Sequence, residues 1–298
     1  MTGNNNKFIV LRSGINSTFQ DSGRKNLSHI GIPIGGAMDN RNYQIANQLV
    51  LNTKETVVEF AYQGPLLKYF GETINTCITG NVNFEIVRNS KIEKGQCYKT
   101  YTINNEDEIN IISTINSVYG YFAVAGGFCT DTFFESSSTN TRAEVGGNNG
   151  KKIETNNILN INKNKKPTVL KELNYMDTKI EYIRVLKSTN FDYFSENSQK
   201  NFFSKTFEVS KLSDRMGMRL NGPILENIIN TNIKSEGIVK GVIQVPADGK
   251  PIIMLSDHGT IGGYPKIANI ISADFDKISQ LPPGFKIKFK QIQLKEAE

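Results

Sequence analysis

The chain has 298 residues, of which 38% are hydrophobic and 21% charged, and its formal net charge at pH 7 is +6. This composition is ordinary for a globular protein and excludes a disordered or fibrous chain. No apolar run approaches the roughly 18 residues that a membrane span needs, and the N-terminal residues do not have the pattern of a secretory signal. We therefore expect a cytoplasmic protein that does not bind membranes.

Cysteine spacing and the distribution of charge exclude further classes. The cysteines are odd in number and widely spaced, which predicts buried or partly buried thiols and no disulfides. With only two histidines, a metal site is not expected. The positive charge concentrates between residues 148 and 166, where five lysines face one glutamate. Because no aromatic residues alternate with these lysines, the segment predicts a solvated linker and no nucleic-acid site.

The first half of the chain is predicted to be mainly β with one helix. Short apolar runs bounded by Gly, Asn and Ser clusters predict strands at 8–11, 82–87, 109–113 and 121–125. From Asn40 to Leu51 the apolar residues fall on one face, which predicts a helix. Asp39 is placed to cap its first turn.

The second half continues the β pattern. Strands are predicted at 180–186, 206–209 and 285–290, and a short helix from Ala273 to Gln280 with Ser272 as its cap. Many short strands with few helices favour a barrel or sandwich over a doubly wound sheet. We predict two β-rich domains, 1–175 and 176–298, with strands that can cross between them.

The segment 241–266 contains the densest chemistry in the sequence. Apolar runs at 242–245 and 252–255 flank the Asp248-Gly249 pair, which predicts a β-hairpin. Gln244 lies on its first arm. Its second arm ends in a polar cluster around a glycine pair, comprising Asp257, Thr260, Gly262, Gly263, Tyr264 and Lys266. A carboxylate, a hydroxyl, a phenol and an amine beside bare backbone predict a site for a polar ligand, and the alternative is an exposed hairpin end.

Three other segments carry candidate binding residues. Gly35-Gly36, before the helix cap Asp39, would present free backbone amides to an anion, with plain helix capping as the alternative. Arg142 lies in a polar loop after a Gly pair and has the donors to hold a carboxylate, unless it is a surface arginine. Asp214 and Arg215 lie side by side in a turn, where an internal ion pair is the alternative to ligand binding.

The sequence contains no recognisable nucleotide-binding motif. The stretch 146–152 superficially resembles a phosphate loop, but Val145 stands where the first glycine is required and Lys152 where Ser or Thr is required. No Gly-x-Gly-x-x-Gly pattern opens a helix after a strand.

Several motifs in order resemble one family along nearly the whole chain. They are Gln20-Asp-Ser-Gly-Arg24, Gly31-Ile-Pro-Ile-Gly-Gly-Ala-Met-Asp39, Ala46-Asn-Gln-Leu-Val50, Gly120-Tyr-Phe-Ala-Val-Ala-Gly-Gly-Phe128, Ser138-Thr-Asn-Thr-Arg142, Ser213-Asp-Arg-Met-Gly217 and the hairpin through Gly263-Tyr-Pro-Lys266. The chain resembles the biotin-dependent carboxyltransferase-like proteins, which include the C-type 5-oxoprolinase proteins, KipA and the allophanate-hydrolase-type region of urea carboxylase.

The resemblance implies a cyclophilin-like β-barrel architecture and a role as one subunit of an enzyme. The implied activity is ATP-dependent opening of 5-oxoproline, a cyclic amide, to L-glutamate, together with a KipI-like partner of the 5-oxoprolinase B type and a third partner of the A type. No cofactor is expected to be covalently bound, and ATP is expected at a partner or at a shared site. Competence of the chain alone is not expected.

Residue roles follow from the resemblance as hypotheses. Arg142 or Arg215 would bind the substrate carboxylate, while Asp257, Tyr264 and Lys266 would orient the ring amide or exchange protons with it. Two alternatives stay open: a carboxyltransferase that takes carboxybiotin from another chain to a urea-like or amide-like acceptor, and a KipA-like regulatory binding protein.

The chain departs from the family pattern at three places. The family generally has Ser-Arg-Ser-Thr where this chain has serine at 137, Met218 stands where an aromatic is common, and Gly259 replaces a frequent Gln. Each change removes a polar or aromatic group from the expected pocket.

Overall fold

The structure is a computed structural model that describes residues 6–162, 170–175, 181–229 and 232–297. The chain divides into two compact units, Met1–Arg24 with Gly35–Met176 and Lys25–Ile34 with Asp177–Glu298. The prediction placed residues 25–34 in the first domain, whereas they group with the second unit. The predicted fold class, mainly β and barrel-like with few short helices, is confirmed.

The first unit is built from two antiparallel sheets and a helix. Its elements are β1 (Lys7–Arg12), β2 (Asn16–Gln20), α1 (Asn40–Leu49), β3 (Val57–Ala61), β4 (Leu66–Phe70), β5 (Ile74–Thr79), β6 (Val82–Arg88), β7 (Lys91–Lys94), β8 (Thr100–Ile103), β9 (Glu108–Thr114), β10 (Tyr119–Val124), β11 (Phe128–Cys129) and β12 (Ile158–Ile161). The strand orders are β11-β12-β1-β4-β9-β6-β7 and β2-β3-β10-β5-β8.

Aromatic side chains join these two sheets in one core. Phe8 of β1 contacts Tyr69 of β4 and Phe122 of β10, with ring centroids 4.9 and 5.4 Å apart. The Phe8–Phe122 contact is edge-to-face, a geometry that adds about 0.5–1.5 kcal/mol to the burial of the rings. The alternating apolar residues of each strand therefore meet between the sheets.

The second unit contains one large sheet and a separate two-stranded ribbon. Its elements are β13 (Ile183–Lys187), α2 (Glu196–Ser204), β14 (Phe207–Val209), β15 (Gly217–Asn221), β16 (Glu236–Gly237), β17 (Val242–Gln244), β18 (Ile252–Met254), β19 (Ile261–Gly262), β20 (Lys266–Ile270), α3 (Phe275–Ser279), β21 (Lys286–Ile287), β22 (Phe289–Gln291) and α4 (Leu294–Ala297). The sheet order is β21-β14-β15-β18-β17-β20-β13-β22, and β16 pairs with β19.

Helix α2, which the sequence reading missed, covers part of this sheet. The Ser195 hydroxyl accepts a hydrogen bond from the Ser198 amide at 3.2 Å and so caps the helix. Phe202 stacks on Phe289 of β22 with ring centroids 4.5 Å apart. The cap was readable in the sequence, but the helix carries only a short apolar face.

Several predicted boundaries need correction. Helix α1 ends at Leu49 because Leu51 takes a left-handed backbone, with φ 59°. The predicted helix from Ala273 is only α3, which follows a 3-10 turn, and the Ser272 side chain forms no cap. The strand predicted at 285–290 is two strands, because β21 pairs with β14 and β22 pairs with β13.

Two further predictions fall partly on residues outside the described ranges. Residue 180 of one predicted strand and residues 163–166 of the basic linker are not described. Within that linker, β12 pairs with β1 and β11, so the linker interpretation is wrong there. Among the described residues, no helix is long and apolar enough to cross a membrane.

The cysteines differ in exposure. Cys77 is buried, and burial raises the pKa of its thiol. Cys97 is partly buried, and burial raises its pKa to about 11. Cys129 is exposed, which contradicts the expectation of three buried or partly buried thiols.

Candidate functional site

The predicted hairpin is present in the second unit. Strands β17 and β18 pair antiparallel, and β17 also pairs with β20, so Gln244 lies opposite both Ile252 and Lys266. Gly249 closes the turn with φ 69° and donates its amide to the Pro246 carbonyl at 2.9 Å. The Asp248 side chain accepts from the Lys250 amide at 3.1 Å, which gives it a role in the turn. Its role in substrate binding stays a prediction.

Asp257 at the end of the hairpin is bound by Arg215. The Arg215 Nε lies 2.8 Å from Asp257 Oδ2, and Nη2 lies 3.1 Å from Oδ1. The two side chains are 11% and 8% exposed. The internal pair considered for Asp214 and Arg215 is therefore wrong, because Asp214 Oδ1 accepts from the amides of Met216 and Gly217 instead. Both oxygens of Asp257 are thus engaged by one guanidinium.

His258 is buried next to this ion pair. Its Nδ1 lies 2.6 Å from the carbonyl oxygen of Gly259, so this nitrogen carries the proton. Burial lowers the pKa of the imidazole, which keeps the ring neutral. Its Nε2 is buried and has no hydrogen-bond partner among the described residues. The ring therefore presents a lone pair inside the second unit.

Lys266 is buried and bound to a residue that the sequence reading did not select. Its side chain is 7% exposed, and its Nζ bonds to the carboxylate of Glu236, which is 48% exposed. The Lys266 amide donates to Asn190 Oδ1 at 3.2 Å. Nothing in the sequence pairs Lys266 with Glu236, because the two residues are 30 positions apart.

The glycine pair lies in the ribbon formed by β16 and β19. A Cβ on Gly262 would lie 2.6 Å from Gln244 Nε2 and 2.4 Å from Ile238 Cδ1, so this position requires glycine. Gln244 Nε2 also lies 3.4 Å from the Tyr264 carbonyl oxygen. The structure thus brings Gln244, Gly262 and Lys266 together.

The neighbouring predicted residues have separate positions. The Gly263 and Thr260 carbonyls accept from the amides of Ile233 and Ile238 at 2.8 and 2.9 Å, which extends the ribbon beyond its two assigned pairs. The side chain of Tyr264 is exposed. Substrate binding by these residues stays a prediction.

In the first unit, the Gly35-Gly36 turn does not present free amides as expected. Gly36 donates its amide to Ser138 Oγ at 2.7 Å, and Asp39 donates to the Tyr121 hydroxyl at 2.7 Å. Both glycines have positive φ, 67° and 80°. Asp39 Oδ1 accepts from the Asn42 amide at 2.9 Å, so the capping alternative is confirmed.

A buried carboxylate supports the same turn. Glu59 Oε2 accepts from the Met38 amide at 2.8 Å and from the Tyr121 hydroxyl at 2.9 Å. Burial, and then the charges of Glu59 and Asp39, raise the pKa of Tyr121. The phenol therefore stays protonated, which is the state that donates to Glu59. This network fixes the start of α1.

The serine run holds the first motif in place. Asp21 accepts from Ser136 Oγ and from the Ser137 amide at 2.8 and 2.7 Å, and Ser138 Oγ donates to Gln20 Oε1 at 2.6 Å. Ser137, where the family generally has arginine, is itself buried. Its hydroxyl lies 3.2 Å from Asp21 Oδ2. Here this position therefore supports the loop.

Arg142 lies in an exposed turn of the first unit. Its backbone amide donates to Asn140 Oδ1 at 3.1 Å, and Asn140 and Val145 form a backbone bridge across the turn. The side chain is exposed. Its binding of a substrate carboxylate stays a prediction.

The segment 146–152 does not fit a nucleotide phosphate. Asn148–Gly150 form a single 3-10 turn, with Asn149 at φ 52°. A Cβ on Gly150 would lie 2.0 Å from the Glu144 carbonyl carbon, so this glycine packs against its own loop and does not line a cradle. Within the described ranges, no three His, Cys, Asp or Glu side chains are grouped to hold a metal ion.

Comparison with known proteins identifies the family. Residues 30–291 match the model of the carboxyltransferase domain, subdomain A and B, and the chain belongs to this family. The chain is 32% identical to the C-type 5-oxoprolinase protein of Haemophilus influenzae, over 94% of this chain and 90% of that protein. The Escherichia coli K12 protein of the same name is 31% identical, over 97% of this chain and 92% of that protein.

A solved structure shares the fold. The urea amidolyase of K. lactis superposes on 98% of this chain with a TM-score of 0.88 and 24% sequence identity. This chain matches only 19% of that much longer protein. The match therefore concerns the carboxyltransferase-type portion of the fold.

Proposed function

We propose that this chain is one component of an ATP-dependent 5-oxoprolinase complex that opens 5-oxoproline to L-glutamate. The observation that carries the proposal is identity of 32% and 31%, across at least 90% of both lengths, to two proteins named as the C-type component of 5-oxoprolinase. In this proposal the chain acts with a KipI-like, B-type partner and with an A-type partner. It belongs to the cytoplasm and is not competent alone.

The ATP chemistry belongs to a partner or to a shared site in this proposal, because segment 146–152 does not fit a phosphate. An unstrained lactam is a poor electrophile, so its ring does not open at a useful rate without activation. The part of this chain is then to bind and orient the cyclic amide. Correct orientation alone can supply about 7–11 kcal/mol of a barrier.

The residues proposed for this part lie at the end of the hairpin. Lys266 and Gln244 provide polar groups on adjacent strands, in register with each other. Tyr264 provides an exposed phenol beside them. Arg215 and Asp257 lock each other, which makes the pair a rigid support for the hairpin end.

A carboxyltransferase reaction is the second candidate, and the family description favours it. In that reaction carboxybiotin would arrive on another chain and a urea-like or amide-like acceptor would be carboxylated. A KipA-like regulatory protein, which binds its partner without catalysis, is the third outcome of the experiment.

Reconstitution separates these functions. The chain is co-purified with its B-type and A-type partners, and ATP-dependent glutamate release from 5-oxoproline is measured. We expect turnover that requires all three chains. Carboxylation of urea with free carboxybiotin, without glutamate release, would support the second function. Stable partner binding without either reaction would support the third.

A further inference from the structure

The ion pair between Lys266 and Glu236 is asymmetric. Lys266 belongs to β20, inside the large sheet, and its side chain is 7% exposed. Glu236 belongs to the two-residue strand β16, outside that sheet, and its side chain is 48% exposed. The cation is therefore fixed and buried, while its anion reaches it from a surface element.

The ribbon that carries Glu236 has few connections. Glu236 pairs with Gly262 and Gly237 with Ile261, and the amides of Ile233 and Ile238 extend the pairing. Ile261 is exposed, whereas Ile238 is buried and lies next to Gly262. Two short strands carry much less free energy than a sheet, and an isolated two-stranded hairpin is marginal in water. The ribbon can therefore separate from the unit at low cost.

Gln244 lies beneath the ribbon beside Lys266. A Cβ on Gly262 would lie 2.6 Å from its Nε2, so the ribbon backbone rests directly on this amide. Gln244 is buried and is in register with Lys266. An ammonium and a primary amide side by side form a donor pair that suits a carboxylate.

The two partners respond differently to separation. A buried ammonium without an anion is strongly unfavourable, so Lys266 needs a carboxylate at this place. Glu236 is half exposed and loses little when its carboxylate returns to water. A ligand carboxylate can therefore replace Glu236 without leaving the lysine unpaired.

We propose that Lys266 and Gln244 form a carboxylate-binding site that Glu236 occupies as an internal competitor. A ligand carboxylate displaces Glu236 and releases the ribbon of β16 and β19. The ligand is the carboxylate of 5-oxoproline, an identification that rests on the proposed function. This site then makes the contact that the family resemblance assigned to Arg142 or Arg215. Glu236 is a specificity-determining residue, because a neutral cyclic amide gains nothing from displacing it.

The test is carboxylate binding by the whole chain without its partners. Binding of 5-oxoproline, acetate and the neutral 5-oxoprolinamide is measured by calorimetry for the unchanged protein and for Glu236→Gln. If Glu236 occupies the site about 90% of the time, its removal tightens carboxylate binding about tenfold. Binding of 5-oxoprolinamide should not change. Glu208→Gln, at an exposed glutamate of β14, is the matched control and should have no effect.

Variants of the cation complete the test. Lys266→Met should abolish carboxylate binding, and Lys266→Arg, which keeps the charge if Met prevents folding, should retain it. Hydrogen exchange gives an independent readout: 5-oxoproline should accelerate exchange of the Ile233 and Ile238 amides, and 5-oxoprolinamide should not.

The proposal is overturned if Glu236→Gln binds carboxylates no more tightly than the unchanged chain, or if 5-oxoproline slows exchange of the ribbon amides. Tighter acetate binding without any binding of 5-oxoproline would support the site and contradict the proposed substrate. Failure of glutamate release in the reconstituted complex, with the calorimetric result intact, would overturn only the proposed function.

Discussion

Arg215 and Asp257 join two segments 42 residues apart through two parallel hydrogen bonds of 2.8 and 3.1 Å. Asp214, the immediate neighbour of Arg215, instead closes the turn that leads into β15. The ion pair thereby ties this turn to the polar end of the hairpin. Its burial makes it a sensitive test of the described geometry.

We expect Arg215→Met to lower the free energy of unfolding by about 3–5 kcal/mol, because the buried Asp257 carboxylate loses its partner. Urea unfolding followed by circular dichroism measures the change. Arg219→Met removes an exposed arginine of the next strand and should change stability by no more than about 0.5 kcal/mol. A loss below about 1 kcal/mol for Arg215→Met would show that the pair is not buried as described.

Helix capping gives a second prediction. Asp39→Ala removes the acceptor of the Asn42 amide and should lower the free energy of unfolding by about 0.5–2 kcal/mol. Asp39→Asn keeps a capping oxygen and should lose much less. Thermal unfolding of the two variants checks this order. Equal losses would mean that the charge of Asp39, and not its capping bond, stabilises the turn.

The close approach at Gly262 gives a third prediction. Gly262→Ala places a Cβ against Gln244 and Ile238 and should displace the ribbon. We expect faster hydrogen exchange of the Ile238 amide and a loss of about 1–3 kcal/mol, the usual cost of overpacking. Gly259→Ala is the matched control, since its Cβ would meet only the Ile261 carbonyl oxygen, at 3.6 Å. Identical exchange in both variants would contradict the described contact.

His258 makes stability depend on pH. Burial lowers the pKa of the folded imidazole below the ordinary 6.5 of the unfolded chain. Below pH 6.5 the unfolded chain binds a proton that the folded chain does not, so stability is full above this pH and falls as the pH drops toward the folded pKa. Urea unfolding between pH 7.5 and 5.5 should show this loss.

The control for this pH dependence is His258→Gln, which removes the titrating group. Its free energy of unfolding should fall less over the same interval. Equal slopes for the two proteins would mean that His258 does not cause the dependence.

Local features of the fold were predictable from the sequence. The Asp248-Gly249 turn and the Asp39 cap depend on residues within a few positions of each other, so their signals survive in the linear order. Helix α2 was missed because its apolar face is short, and the shortened α3 shows that helix ends depend on packing that propensity does not report.

The partners within the candidate site were not predictable. Glu236 meets Lys266, and Arg215 meets Asp257, through strand pairings that span 30 and 42 residues. Adjacent opposite charges, such as Asp214 and Arg215, are a misleading signal, because residues next to each other on an extended chain point to opposite sides. Residue types predicted the chemistry of the hairpin, and only the register assigned its pairs.

The most direct test of the central claim is ATP-dependent glutamate release from 5-oxoproline by the three-chain complex, measured with the unchanged chain, with Lys266→Met and with Lys250→Met. Lys250 is an exposed lysine of the same hairpin. The account predicts turnover that Lys266→Met lowers at least about 100-fold, the lower range for loss of a catalytic proton-transfer group, and that Lys250→Met leaves unchanged. Absence of turnover in a fully assembled complex, or equal turnover in all three proteins, would contradict it.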